Sequence, residues 1–290
     1  KTVHVVHPDK APGFLQWVQD VHQIEIYDEE KERTAELITS ADLLFSLDYN
    51  APDRVGPEME IFLRTSKARK IVIDHHLNPD LEFYDVVYSD TYTGSTSELI
   101  FRLIEGCGKL DLLDSAVGTP LYLGIMTDTG SFRFPSVSPE THETLAKLMR
   151  AGVKHYEVHE QVFDTNTLDR LKLRGFATSE KIEVIQDLPV AFISLTSEEL
   201  NKFNYEKGDT EGLVNMALSI QGIKMAALFS EKDGVIKISL RSKGEQIVNV
   251  MAKELFDGGG HKYASGGIFY GSLSDAVDRF KNNLSKYWSA

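Results

Sequence analysis

The sequence predicts an α/β protein in which a doubly wound, mainly parallel sheet is joined by a linker helix to a smaller α+β domain. Over the first half of the chain, short apolar runs alternate with segments of helical period, which is typical of parallel sheets with crossover helices. A polar segment of helical period follows at residues 165–181, and the elements then change to paired strands. We therefore expect a first domain at residues 1–164 and a second at residues 182–290.

The composition limits the classes of function. The chain has 290 residues, enough for two domains, and a formal net charge of −13. This acidic balance argues against a broad duplex-binding face, because non-specific nucleic-acid affinity comes mostly from clustered Lys and Arg. Residues 1–7 carry no signal-peptide pattern, and no apolar stretch approaches the roughly 20 residues that cross a bilayer. With its lone Cys107, the chain is predicted to be soluble, cytoplasmic and free of internal disulfides.

The elements of the first domain follow from apolar periodicity. Strands are predicted at residues 2–6, 24–27, 43–47 and 71–73, and helices at residues 14–18, 32–38, 58–63, 95–106, 110–126 and 139–151. The last two strands are apolar on both faces, as buried parallel strands must be. Asp48 directly follows the strand at residues 43–47, and Asp74 directly follows the strand at residues 71–73. Both acids therefore lie at the carboxyl edge, where α/β sheets bind ligands.

The second domain has a different order of elements. We predict strands at residues 182–185 and 191–195, and a hairpin of residues 224–229 and 235–240 around the turn Lys232-Asp233-Gly234. Helices are predicted at residues 197–203, 212–220, 247–256 and 274–288, with a glycine run at residues 258–260.

Three short motifs with acidic and imidazole side chains suggest a metal site. Asp74-His75-His76 follows a buried strand, Asp48 follows the neighbouring strand, and Asp128 interrupts an apolar helix. Carboxylate and imidazole are ligands of hard or borderline divalent metals. Taken singly, the first motif fits a strand cap with surface histidines equally well, and Asp128 fits a turn. Taken together, they predict two carboxylates and one imidazole around a metal.

A second group of residues suggests a phosphate site. Gly258-Gly259-Gly260-His261 would let backbone N–H groups approach an anion closely, although a glycine run alone also fits a flexible loop. Arg241, at the end of a preceding predicted strand, supplies the bidentate fork that phosphate sites favour.

These motifs, in this order, resemble the DHH phosphoesterases, and most closely the nano-RNase branch, which also has 3′-phosphoadenosine 5′-phosphate phosphatase activity. The resemblance covers nearly the whole chain, including the DHH-associated C-terminal domain. It implies that Asp48, His75 and Asp128 are manganese ligands in a site for two ions, with Mg²⁺ or Co²⁺ as weaker substitutes. It also implies that His76 contacts the scissile phosphate and that Asp74 orients the histidines.

The resemblance implies a substrate and a place for it. Arg241 and His261, with Gly259 and Gly260, would hold the substrate end away from the scissile bond. The implied reaction is metal-dependent, exo-type hydrolysis of short single-stranded oligonucleotides, of 3′-phosphoadenosine 5′-phosphate, or of both. An inorganic pyrophosphatase or polyphosphatase of the same superfamily and a catalytically degraded nucleotide-binding module are the alternatives. The sequence leaves a homodimer open.

One family motif has no clear counterpart. An HxxPDxDA-like stretch is expected roughly 50 residues before Asp48, which would place it ahead of residue 1. His7-Pro8-Asp9 is the available candidate, but no second acid follows Asp9 two residues later. We therefore expect the given chain to start after the first strand and helix of the domain.

The segment Ser95-Thr96-Ser97-Glu98 fits a helix capping box. Family members place this loop near the site, but we favour the interpretation that these residues serve capping alone.

Overall fold

The computed structural model describes residues 1–232 and 234–288. The chain divides into two compact units, Lys1–Thr165 and Asn166–Ala290. Parallel strands alternate with helices in the first unit, which confirms the predicted α/β class. Among the helices that the structure describes, none is both long enough and apolar enough to cross a membrane.

The first unit contains a three-stranded parallel sheet and a separate parallel pair of short strands. Its strands are β1 (Val6–His7), β2 (Glu25–Ile26), β3 (Leu43–Leu47), β4 (Arg69–Asp74) and β5 (Val86–Ser89). Strands β3, β4 and β5 pair in that order, and β1 pairs with β2. Its helices are α1 (Lys31–Ser40), α2 (Pro57–Thr65), α3 (Thr96–Gly106), α4 (Ser115–Asp128), α5 (Pro139–Arg150) and α6 (His155–Phe163). A short 3₁₀ helix, Gly13–Leu15, stands where a longer helix was predicted.

The prediction that residues 43–47 are buried on both faces is wrong. Leu43, Phe45 and Leu47 are 42%, 49% and 47% exposed, whereas Ser46 is buried. Side chains alternate along a strand, and Leu44 on the other face packs against the cluster built on α1 and α2. Only one face of β3 is therefore covered by other elements, although apolar residues stand on both faces. Strand β4, at the centre of the sheet, is buried at its carboxyl end.

Helices α3 and α4 lie unusually close together. A Cβ atom added at Gly124 of α4 would overlap with the hydroxyl of Ser97 on α3. The absence of a side chain at Gly124 therefore permits this approach, because any larger residue would separate the helices. Phe101 of α3 and Ile125 of α4, both fully buried, belong to the core cluster of these helices. Helix α4 runs through to Asp128, so this acid ends the helix.

The second unit is a six-stranded sheet with helices on both faces. Its strands are β6 (Ile182–Val184), β7 (Val190–Leu195), β8 (Met225–Lys232), β9 (Val235–Ser242), β10 (Gly259–His261) and β11 (Ala264–Tyr270). Its helices are α7 (Leu168–Glu180), α8 (Ser197–Asn201), α9 (Leu213–Leu218), α10 (Asn249–Phe256) and α11 (Leu273–Tyr287). The strand order is β10-β11-β9-β8-β7-β6, in which β7 and β8 are parallel and the other pairs are antiparallel.

Two elements of this unit differ from their predicted character. Helix α7 was expected to be a polar linker, but its Leu173 and Ala177 are fully buried in the core cluster of the unit. The glycine run was predicted to bind a phosphate through its backbone, with a flexible loop as the alternative. Gly259 and Gly260 instead lie in β10 and pair with Gly266 and Ser265 of β11, so the loop alternative is wrong. The hairpin of β8 and β9 is present, and Asp233 of its predicted turn lies outside the described residues.

Candidate metal centre

Three side chains from separate elements converge in the first unit. Asp48 follows β3, His75 follows β4, and Asp128 ends α4. Nε2 of His75 lies 3.5 Å from Oδ1 of Asp48 and 3.9 Å from Oδ2 of Asp128. The three ligand atoms all lie within 4.8 Å of one another. The structure thus brings together the three residues that the sequence analysis proposed as metal ligands.

The backbone and side chain of Asp48 are both held by neighbours. Its φ of +66° places it in the left-handed region, which is costly for a residue with a Cβ and is often found at functional sites. Its N–H donates to the carbonyl of Ile73 over 3.1 Å, which extends the β3–β4 ladder by one bond. Thr96 Oγ1, in the first turn of α3, donates to Asp48 Oδ1 over 2.8 Å. These contacts fix the carboxylate at the end of the sheet.

His75 is oriented by a backbone carbonyl. Its side chain is only 7% exposed, and Nδ1 lies 3.1 Å from the carbonyl oxygen of Thr93. A carbonyl oxygen can only accept, so Nδ1 carries the hydrogen of this bond. In the neutral ring, Nε2, the atom that faces Asp48 and Asp128, then carries the lone pair that a metal ligand requires.

The electrostatics of the cluster suit a cation. Desolvation by the surrounding protein and, second, the negative charge of Asp48 raise the pKa of Asp128 to about 7. The carboxylates of Asp48 and Asp128 therefore repel each other, and a bound cation would offset this repulsion. Their side chains are still 53% and 37% exposed, so an ion could reach them from solvent. Atoms that share one ion through bonds of about 2.1 Å lie about 3.0–3.5 Å apart, and the distances of 3.5 and 3.9 Å from His75 Nε2 are close to this range. The residues fit a divalent metal.

The fully buried Asp74 pairs with the partly buried His76 beside this cluster. Asp74 Oδ1 accepts from His76 Nδ1 over 2.7 Å, and Oδ2 accepts from the His76 backbone N–H over 3.0 Å. Burial opposes both charges, but the hydrogen bonds and mutual attraction outweigh it, lowering the pKa of Asp74 and raising that of His76. The family resemblance implied that Asp74 orients both histidines. In the structure, Asp74 bonds His76, whereas His75 is oriented by Thr93.

Sequence reasoning missed the supporting role of the loop before α3. Ser95 does cap the helix, since its Oγ accepts from the Glu98 N–H over 3.2 Å. However, the Glu98 carboxylate bonds Arg102 and Thr141 and does not close a capping box. Thr96 meanwhile bonds Asp48. The interpretation of this segment as capping alone was therefore wrong, and the family resemblance was the signal that pointed to the site.

In the second unit, Arg241 and His261 lie on one face of the sheet. Both are register partners of Ala264, His261 from β10 and Arg241 from β9. Directly opposed residues of antiparallel strands point to the same face, so strand spacing places these two about 10 Å apart. The guanidinium of Arg241 donates to the carbonyl of Leu240 over 3.0 Å. Desolvation lowers the pKa of Arg241.

Close packing against β11 explains why glycine occupies positions 258 and 260. A Cβ at Gly258 would overlap with the carbonyl of Gly266, and Gly260, at φ +130°, approaches the backbone of Ala264. A Cβ at Gly259 would meet nothing within 4 Å. The role of Gly259 and Gly260 in phosphate binding therefore stays a prediction, because close strand packing already accounts for Gly260.

Comparison with known proteins places both units in characterised families. Residues 3–125 match the DHH family N-terminal domain, and residues 187–289 match the DHHA1 domain. The chain is 31% identical over 220 residues to the bifunctional oligoribonuclease and PAP phosphatase NrnA of Bacillus subtilis, covering 76% of this chain and 68% of that protein. It is 34% identical over 222 residues to a probable NrnA of Streptococcus mutans, covering 74% and 68% of the two chains.

One solved structure aligns with nearly the whole chain. The crystal structure of an exopolyphosphatase-related protein from Bacteroides fragilis aligns with a TM-score of 0.94 and 40% identity. The alignment covers 99% of this chain and 84% of that one. The chain therefore belongs to the DHH family and carries a DHHA1 domain after its DHH domain.

Proposed function

We propose that this protein is a metal-dependent phosphoesterase that hydrolyses short single-stranded oligonucleotides from one end and also 3′-phosphoadenosine 5′-phosphate. The observation that carries the proposal is the convergence of Asp48, His75 and Asp128, whose ligand atoms lie within 4.8 Å of one another. The substrate class comes from the relatives, which are named as oligoribonucleases and PAP phosphatases.

Asp48, His75 and Asp128 would hold the metal. When bound, the metal supplies positive charge at the phosphate and lowers the pKa of the attacking water. Two carboxylates and one imidazole form a mixed oxygen and nitrogen ligand set, which suits manganese better than soft ions. We propose manganese as the ion, with Mg²⁺ or Co²⁺ as weaker substitutes. The two-ion site implied by the family resemblance stays a prediction that metal analysis of the purified protein can measure.

His76 would act on the substrate phosphate. Its Nδ1 donates to Asp74 over 2.7 Å, and a ring that is protonated on Nε2 can donate from that atom to a phosphate oxygen. The raised pKa of His76 favours the imidazolium, which places a positive charge and a donor beside the reacting group. Asp74, which is fully buried, would hold the ring in one orientation.

Arg241 and His261 of the second unit would bind the part of the substrate that does not react. An arginine fork can bond two phosphate oxygens at once, and the two side chains share one face of the sheet. We extend this proposal to the backbone of Gly259, since a Cβ there would meet open space. We also propose a cytoplasmic location, where short RNA fragments arise, and retain a homodimer as a prediction for sedimentation analysis.

Hydrolysis assays after chelation and metal add-back test this proposal. The substrates are a 5′-phosphorylated dinucleotide, 3′-phosphoadenosine 5′-phosphate, pyrophosphate and polyphosphate. We expect activity on the first two, lost in chelator, restored best by Mn²⁺, and lowered by several orders of magnitude in Asp128→Asn through loss of a ligand. Full activity in excess chelator would contradict the metal mechanism. Preference for polyphosphate or pyrophosphate would favour the first alternative, and nucleotide binding without turnover would favour the degraded module.

A further inference from the structure

Helix α3 contributes none of the three candidate ligands, yet it contacts two of the elements that carry them. Thr96, in its first turn, donates to Asp48. One residue later, Ser97 packs against Gly124 of α4, the helix that ends on Asp128. The same helix also reaches the third ligand through a chain of hydrogen bonds.

This chain runs through Arg102, two turns into α3. Its Nη2 donates to Glu98 Oε1 over 2.6 Å, and its Nη1 donates to Thr93 Oγ1 over 3.0 Å. The same Nη1 lies 3.4 Å from Asp90 Oδ2, which accepts from Thr93 Oγ1 over 2.7 Å. The backbone carbonyl of Thr93 in turn accepts from Nδ1 of His75 over 3.1 Å. Thr93 is thus the single residue between the guanidinium and the imidazole.

The guanidinium itself is fixed by a buried acid. Glu98 is fully buried, and its second oxygen accepts from Thr141 of α5 over 2.9 Å. A buried carboxylate requires its partners, so Glu98 restrains Arg102 to one position. The planar fork of arginine can serve Glu98 and Thr93 at the same time, whereas the single ammonium of lysine cannot reproduce this geometry.

We propose that Arg102 is a positioning residue for His75, which it controls by anchoring Thr93. With the Thr93 carbonyl held against Nδ1, the neutral imidazole keeps its hydrogen on Nδ1 and presents Nε2 to Asp48 and Asp128. If the Thr93 loop moved, the neutral ring would also populate the tautomer with hydrogen on Nε2, and Nε2 could then not act as the metal ligand. The inference rests on the metal site of the proposed function.

The test compares His75 in the wild type, Arg102→Lys and Thr93→Val. Nitrogen-15 NMR of the metal-free protein, at a pH where the imidazole is neutral, reports which ring nitrogen carries the hydrogen. We expect hydrogen on Nδ1 in the wild type and a raised Nε2–H fraction in both variants, with Mn²⁺ affinity lowered about 10- to 100-fold by calorimetry. The matched control is Arg64→Lys, since Arg64 pairs with Glu60 at the same i,i+4 spacing and contacts Asp80 and Phe83.

The outcomes separate the inference from the proposed function. Wild-type tautomers in both variants would overturn the inference, as would a lower melting temperature with no change at His75. Should Arg102→Lys fail to fold, Thr93→Val decides, because it replaces the hydroxyl with a methyl group of similar size and leaves the carbonyl. If the tautomer shifts as expected but Asp128→Asn leaves Mn²⁺ affinity unchanged, the positioning role of Arg102 stands and the metal site of the proposed function is wrong.

Discussion

Thr96 Oγ1 donates a hydrogen bond to Oδ1 of Asp48 over 2.8 Å, so the start of α3 holds the carboxylate that follows β3. The bond joins residues 48 positions apart in the sequence. Asp48 also has a left-handed backbone at φ +66°, a conformation that persists only where neighbouring contacts hold it. The bond from Thr96 is one such contact, and it holds the carboxylate 3.5 Å from Nε2 of His75.

We expect Thr96→Val to weaken Mn²⁺ binding about 10-fold, because residues that orient metal ligands typically contribute 10- to 100-fold in affinity. Thr96→Ser should retain most of the affinity, since it keeps the hydroxyl. Calorimetric titration of the metal-free protein measures the effect. Thr39→Val is the matched control, because the Thr39 hydroxyl donates to the Ala35 carbonyl of its own helix. Equal losses in Thr96→Val and Thr39→Val would show that the Thr96 hydroxyl does not support the site.

The contact between α3 and α4 gives a second prediction. In Gly124→Ala, the new Cβ would overlap with Ser97 and push apart the helices that position Thr96 and Asp128. Overpacking of this kind typically costs about 1–3 kcal/mol. We expect a lower free energy of unfolding, measured by denaturant titration, together with weaker metal binding.

Gly106→Ala is the control for this substitution. Gly106 ends α3, and a Cβ there would meet nothing within 4 Å. This change should be neutral or stabilise the fold by about 0.4–1 kcal/mol. The double variant Gly124→Ala/Ser97→Gly should recover metal affinity relative to Gly124→Ala. If it does not, the helix contact is not the cause of the loss.

The candidate ligands could be predicted from the sequence because they stand at positions with a local signal. Asp48 and Asp74 mark the ends of two apolar strands, His75 follows directly, and Asp128 is a polar interruption of an apolar helix. The carboxyl ends of parallel strands share one edge, so a pattern along the chain becomes proximity in space.

The supporting contacts could not be predicted in this way. Glu98 had an attractive local explanation as a capping residue, but its partner Thr141 lies 43 positions away. Similarly, the apolar pattern of β3 could not show that one of its faces is exposed, because exposure depends on which elements cover the sheet. The partner of Glu98 and the exposure of β3 both depend on contacts between distant segments, and local periodicity does not contain this information.

A third prediction concerns the second unit. We expect Arg241→Ala to raise KM about 10-fold or more for a phosphorylated dinucleotide, with little change in kcat, if its contact is equally strong in the ground and transition states. Lys237→Ala is the control. Lys237 is exposed on the same strand, β9, and its substitution also removes one positive charge. Steady-state kinetics on both variants make the comparison. A collapse of kcat in Arg241→Ala would place this residue at the reacting group.

The last prediction uses the two hydrogen bonds of Asp74. Both of its oxygens accept, one from His76 Nδ1 over 2.7 Å and one from the His76 N–H over 3.0 Å. Asn has one acceptor oxygen, so at this fully buried position Asp74→Asn either loses the bond from His76 Nδ1 or reverses it by forcing His76 into the neutral tautomer with hydrogen on Nε2. We expect a loss of about 1–3 kcal/mol in the free energy of unfolding and a fall in kcat of about 10- to 100-fold, since His76 loses its orientation and its charge partner.

The Mn²⁺ affinity of Asp74→Asn shows whether Asp74 orients His76 alone or His75 as well. Because His75 is oriented by Thr93, Asp74→Asn should leave Mn²⁺ affinity within about twofold of the wild type, well below the 10- to 100-fold typical of a ligand-orienting residue. Asp85→Asn is the control, since Asp85 accepts from the Lys70 N–H of the same strand, β4, over 2.7 Å. Calorimetry and single-turnover kinetics on the two variants separate binding from chemistry. A 10-fold or greater loss of Mn²⁺ affinity in Asp74→Asn alone would mean that Asp74 orients both histidines, as the family resemblance first implied.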